Sequence, residues 1–319
     1  MRILYIYRKY KDRRKKYGEM MERCGHEVIY VEKKDKFKNN QFDEKIIKKY
    51  KPDLVWFLNF WYVVHNPSFV DYLNKKKIPI VVYATYNPTV PYPDWDDIYE
   101  KIDHLFVHSK DMNEYLVKNN FNSHYMPIGF YSDQYFYNDV NNKNHDISFC
   151  GSVSIPPKTK TKDDDRIRYL RSLGKYNLVV YGNSFKNKLG KIPVIGYKNH
   201  EQQRKAYWNS KINLDVGAFF SGEYHNFYKN KYHIKNRFFE IPATKGFMLT
   251  VKCDEYLEIF PEDTVGYYDA NIESLKENVN KYLKDDSLRI RMAEKAHKLV
   301  YQKHMYLHRF QEMFKLMEM

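Results

Sequence analysis

Short apolar runs alternate with amphipathic helical segments along almost the whole chain. The early runs share a length of five to seven residues and cover residues 3–7, 27–31, 54–58, 78–84 and 104–108. Runs of this length are typical of parallel strands buried on both faces, and the helical segments between them complete βαβ units. The alternation therefore predicts an α/β protein built on Rossmann-like parallel sheets.

A polar stretch without periodicity, residues 137–145 (YNDVNNKNH), interrupts this alternation. The strand pattern then restarts, with runs at residues 146–150, 177–181, 194–197 and 212–216. A length of 319 residues is enough for two domains that each bury a core. We therefore expect a first domain over residues 1–140 and a second that begins at residue 141.

The chain is strongly basic, with 54 Lys and Arg against 40 Asp and Glu and a net charge of +14. This surplus favours an anionic partner such as nucleic acid, a nucleotide, a sugar phosphate or an acidic membrane surface. Seven basic residues crowd into residues 8–16, directly after the first predicted strand. One interpretation is a loop that holds an anionic acceptor through Arg8, Lys9, Lys11, Arg13 and Arg14, and the other is a solvated basic face.

The loop after the first predicted strand lacks the glycine motif with which dinucleotide-binding folds hold a pyrophosphate. A dinucleotide-binding fold carries GxGxxG after its first strand, whereas this chain has no glycine before Gly18. The first domain is therefore not expected to hold a nucleotide pyrophosphate in that manner.

Cysteine usage and hydropathy bear on the compartment. Cys24, Cys150 and Cys253 are far apart and lack metal-ligand spacing, which favours reduced thiols in a cytoplasmic protein. No apolar run approaches the roughly 20 residues of a membrane span, so we expect no integral membrane segment.

The cluster Asp163, Asp164 and Asp165 suggests either a metal site or an acidic helix start, and we favour the helix start. The sequence leaves the oligomeric state open.

Residues 237–250 (RFFEIPATKGFMLT) read as a short helix followed at once by a buried strand. Arg237 lies near the helix start, where an anion is favoured, and Glu240 follows one turn later, where a carboxylate can accept hydrogen bonds from ribose hydroxyls. Gly246 is expected to adopt the left-handed conformation at the helix exit. These parts fit a nucleoside diphosphate, and the alternative is a plain αβ unit with a surface Arg and Glu.

Candidates for a general base lie in the first domain, near the ends of predicted strands. They are His65, Asp94 and Asp96, of which we favour His65 and Asp94. The alternative for each residue is an ordinary polar position in a loop.

The second half of the chain resembles the carboxyl-terminal domain of GT-B glycosyltransferases, more narrowly the CgeB-like (spore-protein-like) group. The resemblance covers roughly residues 146–310. It is carried by an ordered series of segments: FCGS (149–152), VYG (180–182), SKINL (210–214), RFFEIPA (237–243), GFMLT (246–250), and residues 282–304 with Tyr282, Leu283, Arg289, Ala293 and His304.

The resemblance implies two Rossmann-like domains that face each other across a cleft. The donor domain would cover residues 141–303 and the acceptor domain residues 1–140, with the last helix, residues 304–319, crossing back to the first domain. Such enzymes bind a nucleotide sugar as co-substrate and require no other cofactor, and the GT-B type needs no metal ion.

The resemblance also assigns roles to residues of the second domain. Glu240 matches the glutamate that contacts the ribose, and Arg237 would lie by the diphosphate. The segment Ile195, Gly196 and Tyr197 would pack on the base, and Gly151 and Ser152 would approach the phosphates. Positive charge for the leaving group would come from Arg237, Lys231 and Arg166, with Lys162 as a further phosphate partner.

One departure concerns the pair of glutamates, E-x7-E, of many retaining GT-B enzymes. Counting back from Glu240 places Tyr232 at the position of the first glutamate. The sugar contacts and the choice between retention and inversion therefore stay open.

We expect a hexosyl- or pentosyltransferase that uses a UDP- or GDP-sugar. Its acceptor would be modified DNA or an anionic saccharide on the basic first domain. The alternative is a non-catalytic nucleotide- or nucleic-acid-binding protein that keeps the GT-B fold.

Overall fold

The computed structural model describes residues 1–8, 15–33, 44–84, 96–137, 143–152, 165–182, 188–196, 199–216, 232 and 234–318. The chain divides into two compact units. One comprises Met1–Ile128 with Tyr306–Met319, and the other Gly129–Met305. Residues 138–142, within the expected linker, lie outside the described residues. Among the described helices, none combines the length and the hydropathy needed to cross a lipid bilayer.

The first unit is an alternation of strands and helices that ends in a helix from the chain's carboxyl terminus. In order it contains β1 (Arg2–Arg8), α1 (Lys15–Arg23), β2 (Glu27–Lys33), α2 (Glu44–Tyr50), β3 (Leu54–Phe57), α3 (Phe60–Val64), α4 (Pro67–Lys75), β4 (Ile80–Ala84), α5 (Asp96–Tyr99), β5 (His104–Val107), α6 (Lys110–Lys118), β6 (Ser123–Tyr125) and, 180 residues further along, α13 (Tyr306–Leu316).

All described strand pairs of the first unit are parallel, and the sheet order is β2-β1-β3-β4-β5-β6. The apolar strand residues predicted this burial: β3 and β4 are buried along their whole length. Since β1 lies between β2 and β3, its carboxyl end at Arg8 is where the strand order reverses. Ligands of doubly wound sheets gather at this kind of position.

Helix α13 packs on the first unit, which confirms the predicted return of the last helix. The rings of Phe310 and Phe314 each lie 5.6 Å from the ring of Trp56 in β3, measured between centroids. The hydroxyls of Tyr17 and Tyr306 are 3.1 Å apart, which joins α13 to α1. Burial of these aromatic side chains holds a sequence-distant helix on the sheet.

The second unit repeats the alternation with a different strand order. It contains β7 (His145–Cys150), α7 (Asp165–Ser172), β8 (Leu178–Tyr181), β9 (Val194–Ile195), α8 (His200–Trp208), β10 (Ser210–Asp215), α9 (Arg237–Ala243), β11 (Met248–Val251), α10 (Asp254–Ile259), β12 (Gly266–Tyr268), α11 (Ile272–Lys284) and α12 (Asp286–Lys303).

The second sheet has the order β12-β11-β10-β7-β8-β9, and every described strand pair is parallel. Counted within this unit, the order is that of the dinucleotide-binding Rossmann fold, and the reversal lies between β7 and β10. The carboxyl ends of these two strands are Cys150 and Asp215.

The expectation for Gly246 was wrong. Lys245 adopts the left-handed conformation after α9, with φ of 54°, and Gly246 does not have a positive φ. Gly246 is instead required by space, because a Cβ there would lie 2.8 Å from Nδ2 of Asn213 in β10. The glycine therefore lets the chain pass close to the neighbouring strand as it enters β11.

Candidate functional site

The candidate site lies at the carboxyl edge of the second sheet, where the strand order reverses. Gly151 and Ser152 follow β7, and Asp215 ends β10 beside it. Helix α9 is joined to this edge through Arg237 at its start. The edge is the position at which ligands of open α/β sheets bind.

A buried ion pair ties α9 to β10. Nε of Arg237 donates to Oδ1 of Asp215 at 2.5 Å, and the two side chains are 10% and 1% exposed. Oγ1 of Thr250 donates to the other carboxylate oxygen at 3.1 Å. Burial lowers the pKa of Arg237, but the charge and hydrogen bond of Asp215 outweigh burial and leave the pKa raised. Asp215 therefore keeps a cation at the sheet edge.

The guanidinium of Arg237 also lies against the chain that leaves β7. It stacks over the ring of Phe149, 5.2 Å from its centroid. A Cβ at Gly151 would lie 3.3 Å from Nη1 of Arg237 and 2.8 Å from the Phe149 ring. Glycine at this position lets the backbone pass close to the guanidinium, and its own N–H donates to the carbonyl of Tyr181 at 3.0 Å.

Two further cations accompany Arg237. Nη1 of Arg166 donates to the carbonyl of Ser152. Lys235 is half-buried, and its pKa falls to about 7 because burial disfavours its charge and because Arg237 and Arg166 repel it, while Asp215 acts in the opposite direction. Cationic side chains thus crowd together beside residues 150–152, and a bound anion would relieve their repulsion.

Glu240 lies one turn after Arg237 and is 2% exposed. Its Oε2 accepts a hydrogen bond of 2.9 Å from Nε2 of Gln203 in α8. Gln203 in turn contacts the hydroxyls of Tyr135 and Tyr207. Arg237 and Glu240 are therefore inward-facing groups of a polar network, and the reading of a surface Arg and Glu was wrong.

Other predicted donor residues are placed elsewhere or lie outside the described residues. Ile195, 46% exposed, ends the edge strand β9, and exposed Gly196 follows it. Tyr197 and Lys231 lie outside the described residues. The position of the expected first glutamate, Tyr232, is described but its neighbours 217–231 and 233 are not.

The predicted residues of the first unit are only partly described. His65 caps the carboxyl end of α3, and its ring stacks on Trp61 with centroids 5.2 Å apart. Arg8 ends β1. Lys9, Lys11, Arg13, Arg14 and Asp94 lie outside the described residues. Their roles in acceptor binding and as a base stay predictions.

No group of three or more His, Cys, Asp or Glu side chains within the described residues could hold a metal ion. Asp165 begins α7, while Asp163 and Asp164 lie outside the described residues.

Three residues of the candidate site were not predicted from the sequence: Asp215, Lys235 and Gln203. Asp215 is a charged residue at the end of an otherwise apolar strand, which was a usable signal. Gln203 is buried on the helix face that also carries Ala206 and Tyr207, so helical periodicity pointed to it. Nothing in the sequence distinguished Lys235 from the other lysines.

Comparison with known proteins identifies a matching protein family and solved structures with the same fold. Residues 165–315 match the model of a family described as Glycosyl transferase-like. A comparison with curated protein sequences gave no match.

Solved structures match over nearly the whole chain. A glycosyltransferase from Rickettsia africae matches with a TM-score of 0.70 and 13% identity, over 99% of this chain and 97% of that chain. HepE from Anabaena, solved with UDP-glucose, gives 0.64 and 10%, over 100% and 99%. An alpha-glucosyltransferase, solved with UDP and a 13-mer DNA that contains an HMU base, gives 0.66 and 14%, over all of both chains. With its two parallel sheets, the protein has the GT-B fold.

Proposed function

We propose that the protein is a glycosyltransferase that moves a sugar from a nucleotide-sugar donor to an acceptor. The observation that carries this proposal is the cluster of Arg237, Lys235 and Arg166 beside Gly151, at the strand-order reversal of the second sheet. A lysine whose charge is opposed by burial and by two arginines is in an unfavourable environment when no ligand is bound. The same group of cationic side chains becomes favourable when a diphosphate binds, because the negative charge of the diphosphate offsets their repulsion.

The donor in this proposal is a UDP-sugar, with a GDP-sugar as the second choice. The diphosphate lies between residues 151–152 and the cationic cluster, and Glu240 accepts hydrogen bonds from the ribose. The segment Ile195–Tyr197 packs on the base, and Lys231 adds positive charge. The UDP-glucose complex of HepE and the UDP complex of the alpha-glucosyltransferase support UDP.

The reaction breaks the bond between the anomeric carbon and the β-phosphate oxygen and forms a bond from that carbon to an acceptor oxygen. The electron pair of the broken bond stays on the departing diphosphate, whose charge Arg237, Lys235 and Arg166 stabilise. The acceptor proton leaves to the diphosphate in a retaining enzyme. In an inverting enzyme it leaves to a base in the first unit, for which His65 and Asp94 are the candidates.

The acceptor in this proposal is anionic and binds the first unit through Arg8, Lys9, Lys11, Arg13 and Arg14. These residues end β1 or follow it, and β1 lies at the strand-order reversal of its sheet. The net charge of +14 also favours an anionic acceptor. Modified DNA is one such acceptor, supported by the DNA complex of the alpha-glucosyltransferase, and an anionic saccharide is the other. The three unpaired thiols agree with a reducing compartment, the cytoplasm.

Binding is tested by thermal shift and calorimetry with UDP, GDP and ADP and their glucose conjugates. A ligand at 100 times its Kd stabilises a protein by about 2.7 kcal/mol, so the correct nucleotide gives a clear shift. Glu240→Gln should weaken binding, whereas Glu277→Gln, an exposed glutamate on α11, should not. No shift with any nucleotide would overturn the proposal.

The second candidate function is a protein that binds a nucleotide sugar without turnover. It is favoured by Tyr232 at the position of the first glutamate of E-x7-E. Release of free nucleoside diphosphate in the presence of DNA or anionic glycans supports the enzyme. Tight donor binding without release, across the same acceptors, supports the second candidate.

A further inference from the structure

A buried amide holds the carboxylate of Glu240. Gln203 lies on the inner face of α8 and is 7% exposed, and its Nε2 donates to Oε2 of Glu240 at 2.9 Å. A hydrogen bond to a charged acceptor in a buried position is stronger than one between neutral groups. The contact joins two helices that are separated by a strand in the sequence.

The orientation of this amide is fixed by Glu240, and two tyrosine hydroxyls support it. The hydroxyl of Tyr135 donates to Oε1 of Gln203 at 2.9 Å, and Nε2 donates its second hydrogen to the hydroxyl of Tyr207 at 2.7 Å. A carboxylate accepts hydrogen bonds only, so the amide nitrogen has to face Glu240. Tyr135 lies 2.8 Å from Nδ1 of His200, and because Tyr135 already donates its proton to Gln203, this histidine nitrogen is the donor.

Glu240 has a reason to need such a partner. Arg237 lies three residues earlier on the same helix, within the range of i,i+3 side-chain pairs. A carboxylate without a second partner would be drawn toward Arg237 and the neighbouring Lys235. The bond from Gln203 holds Oε2 of the carboxylate at α8.

We propose that Gln203 is a positioning residue which, held by Tyr135, sets Glu240 to receive the ribose and thereby gives the site its preference for ribonucleotides over 2′-deoxyribonucleotides. This inference rests on the proposed binding of a nucleotide donor by the second unit. The contacts that maintain the preference run from Tyr135 through Gln203 to Glu240.

The test compares the Kd for 2′-deoxy-UDP with the Kd for UDP in each variant. Loss of a hydrogen bond to a carboxylate predicts about 10- to 100-fold weaker binding of the deoxynucleotide to the unaltered protein. In Gln203→Met, which keeps the side-chain length but cannot donate, the ratio should fall to about threefold or less. Gln202→Met, an exposed neighbour on α8, should keep the full ratio.

The ratio separates positioning from a general loss of structure, since a disturbed fold weakens both nucleotides equally. Tyr135→Phe removes only the hydroxyl that holds the amide, and it should give a ratio between those of Gln203→Met and the unaltered protein. If Gln203→Met does not fold, Tyr135→Phe decides the matter.

Two outcomes overturn the inference in distinguishable ways. If Glu240→Gln abolishes the ribose preference while the folded Gln203→Met and Tyr135→Phe keep it, the positioning role is wrong and the donor site stands. If the unaltered protein binds neither uridine nor guanosine diphosphate, in the ribo or the 2′-deoxy form, the proposed donor site itself fails and the inference fails with it.

Discussion

Lys235 provides a pH-dependent test of the proposed diphosphate site. Its pKa of about 7 lies below the ordinary value of 10.5 because of burial and the nearby arginines. A diphosphate placed beside it favours the charged form and raises this pKa. Binding therefore takes up a proton at any pH between the free and the bound pKa, and affinity falls as the pH rises through that window.

The size of the effect follows from the free pKa. At pH 8 a group of pKa about 7 is about one-tenth protonated, so UDP binding should take up about 0.9 proton. If the bound pKa lies well above 9, the Kd for UDP should rise about ninefold between pH 8 and pH 9. The window begins above the pH at which the nucleotide's own phosphate titrates.

Stability of the ligand-free protein should change in the opposite direction. Folding lowers this pKa, so above pH 7 the folded state binds fewer protons than the unfolded state, and the contribution of Lys235 to stability rises with pH. Lys235→Met removes the penalty of a charged amine in this site. It should raise the melting temperature of the ligand-free protein at pH 7 by roughly 2–4 °C while weakening UDP binding.

Calorimetry in buffers of different ionisation enthalpy measures the proton uptake directly. The unaltered protein and Lys191→Met, an exposed lysine of the same unit, should take up about 0.9 proton at pH 8. Lys235→Met should take up none and bind UDP with a Kd independent of pH. Equal proton uptake by Lys235→Met and the unaltered protein would refute the assignment of Lys235.

Three further predictions concern the ion pair, the packing of the last helix and the basic loop. Asp215→Asn removes the buried charge partner of Arg237 and should lower the free energy of unfolding in urea by about 3–5 kcal/mol. If adding Arg237→Gln restores none of the lost free energy, the two residues are not coupled. Phe310→Ala should cost about 3–5 kcal/mol, because the ring is fully buried against Trp56, and a loss below 1 kcal/mol would contradict that packing. If the five basic residues at positions 8–14 each contact a phosphate, DNA binding should be about 500-fold weaker at 200 mM than at 50 mM salt. Serine at these five positions should reduce the slope of the logarithm of the DNA-binding constant against the logarithm of the salt concentration. An unchanged slope would exclude this loop as the DNA contact.

The alternation of apolar runs was enough to predict both sheets. Strands β3 and β4 are buried on both faces, and a buried parallel strand has no polar positions to interrupt the run. Helix α13 was different, because its place on the first unit depends on contacts of Phe310 and Phe314 with Trp56, which lies more than 250 residues earlier. The resemblance to a family predicted that return, and the periodicity did not.

The residues of the candidate site that lie in one sequence segment were predicted, but their contacts with other helices and strands were not. Arg237 and Glu240 were identified from one continuous stretch, since both lie on α9. Their partners Asp215 and Gln203 come from β10 and α8, and the order of strands in the sheet brings them together. Helical periodicity indicates that Gln203 is buried, but it does not indicate which side chain Gln203 contacts.

The structural role of Gly246 was also not predictable from the local sequence. A glycine after a helix has two physical uses, a left-handed conformation or a close approach of chains, and local sequence does not separate them. Lys245 takes the left-handed conformation here, and Asn213 occupies the space that a side chain at Gly246 would need.

A crystal structure of the protein with a bound UDP-sugar would show whether the second unit holds the donor at the proposed site. The diphosphate should lie beside Gly151 with Arg237 and Lys235 around it, and the ribose hydroxyls should donate to Glu240. A nucleotide bound elsewhere in the second unit, or at the edge of the first sheet, would contradict the proposed donor site.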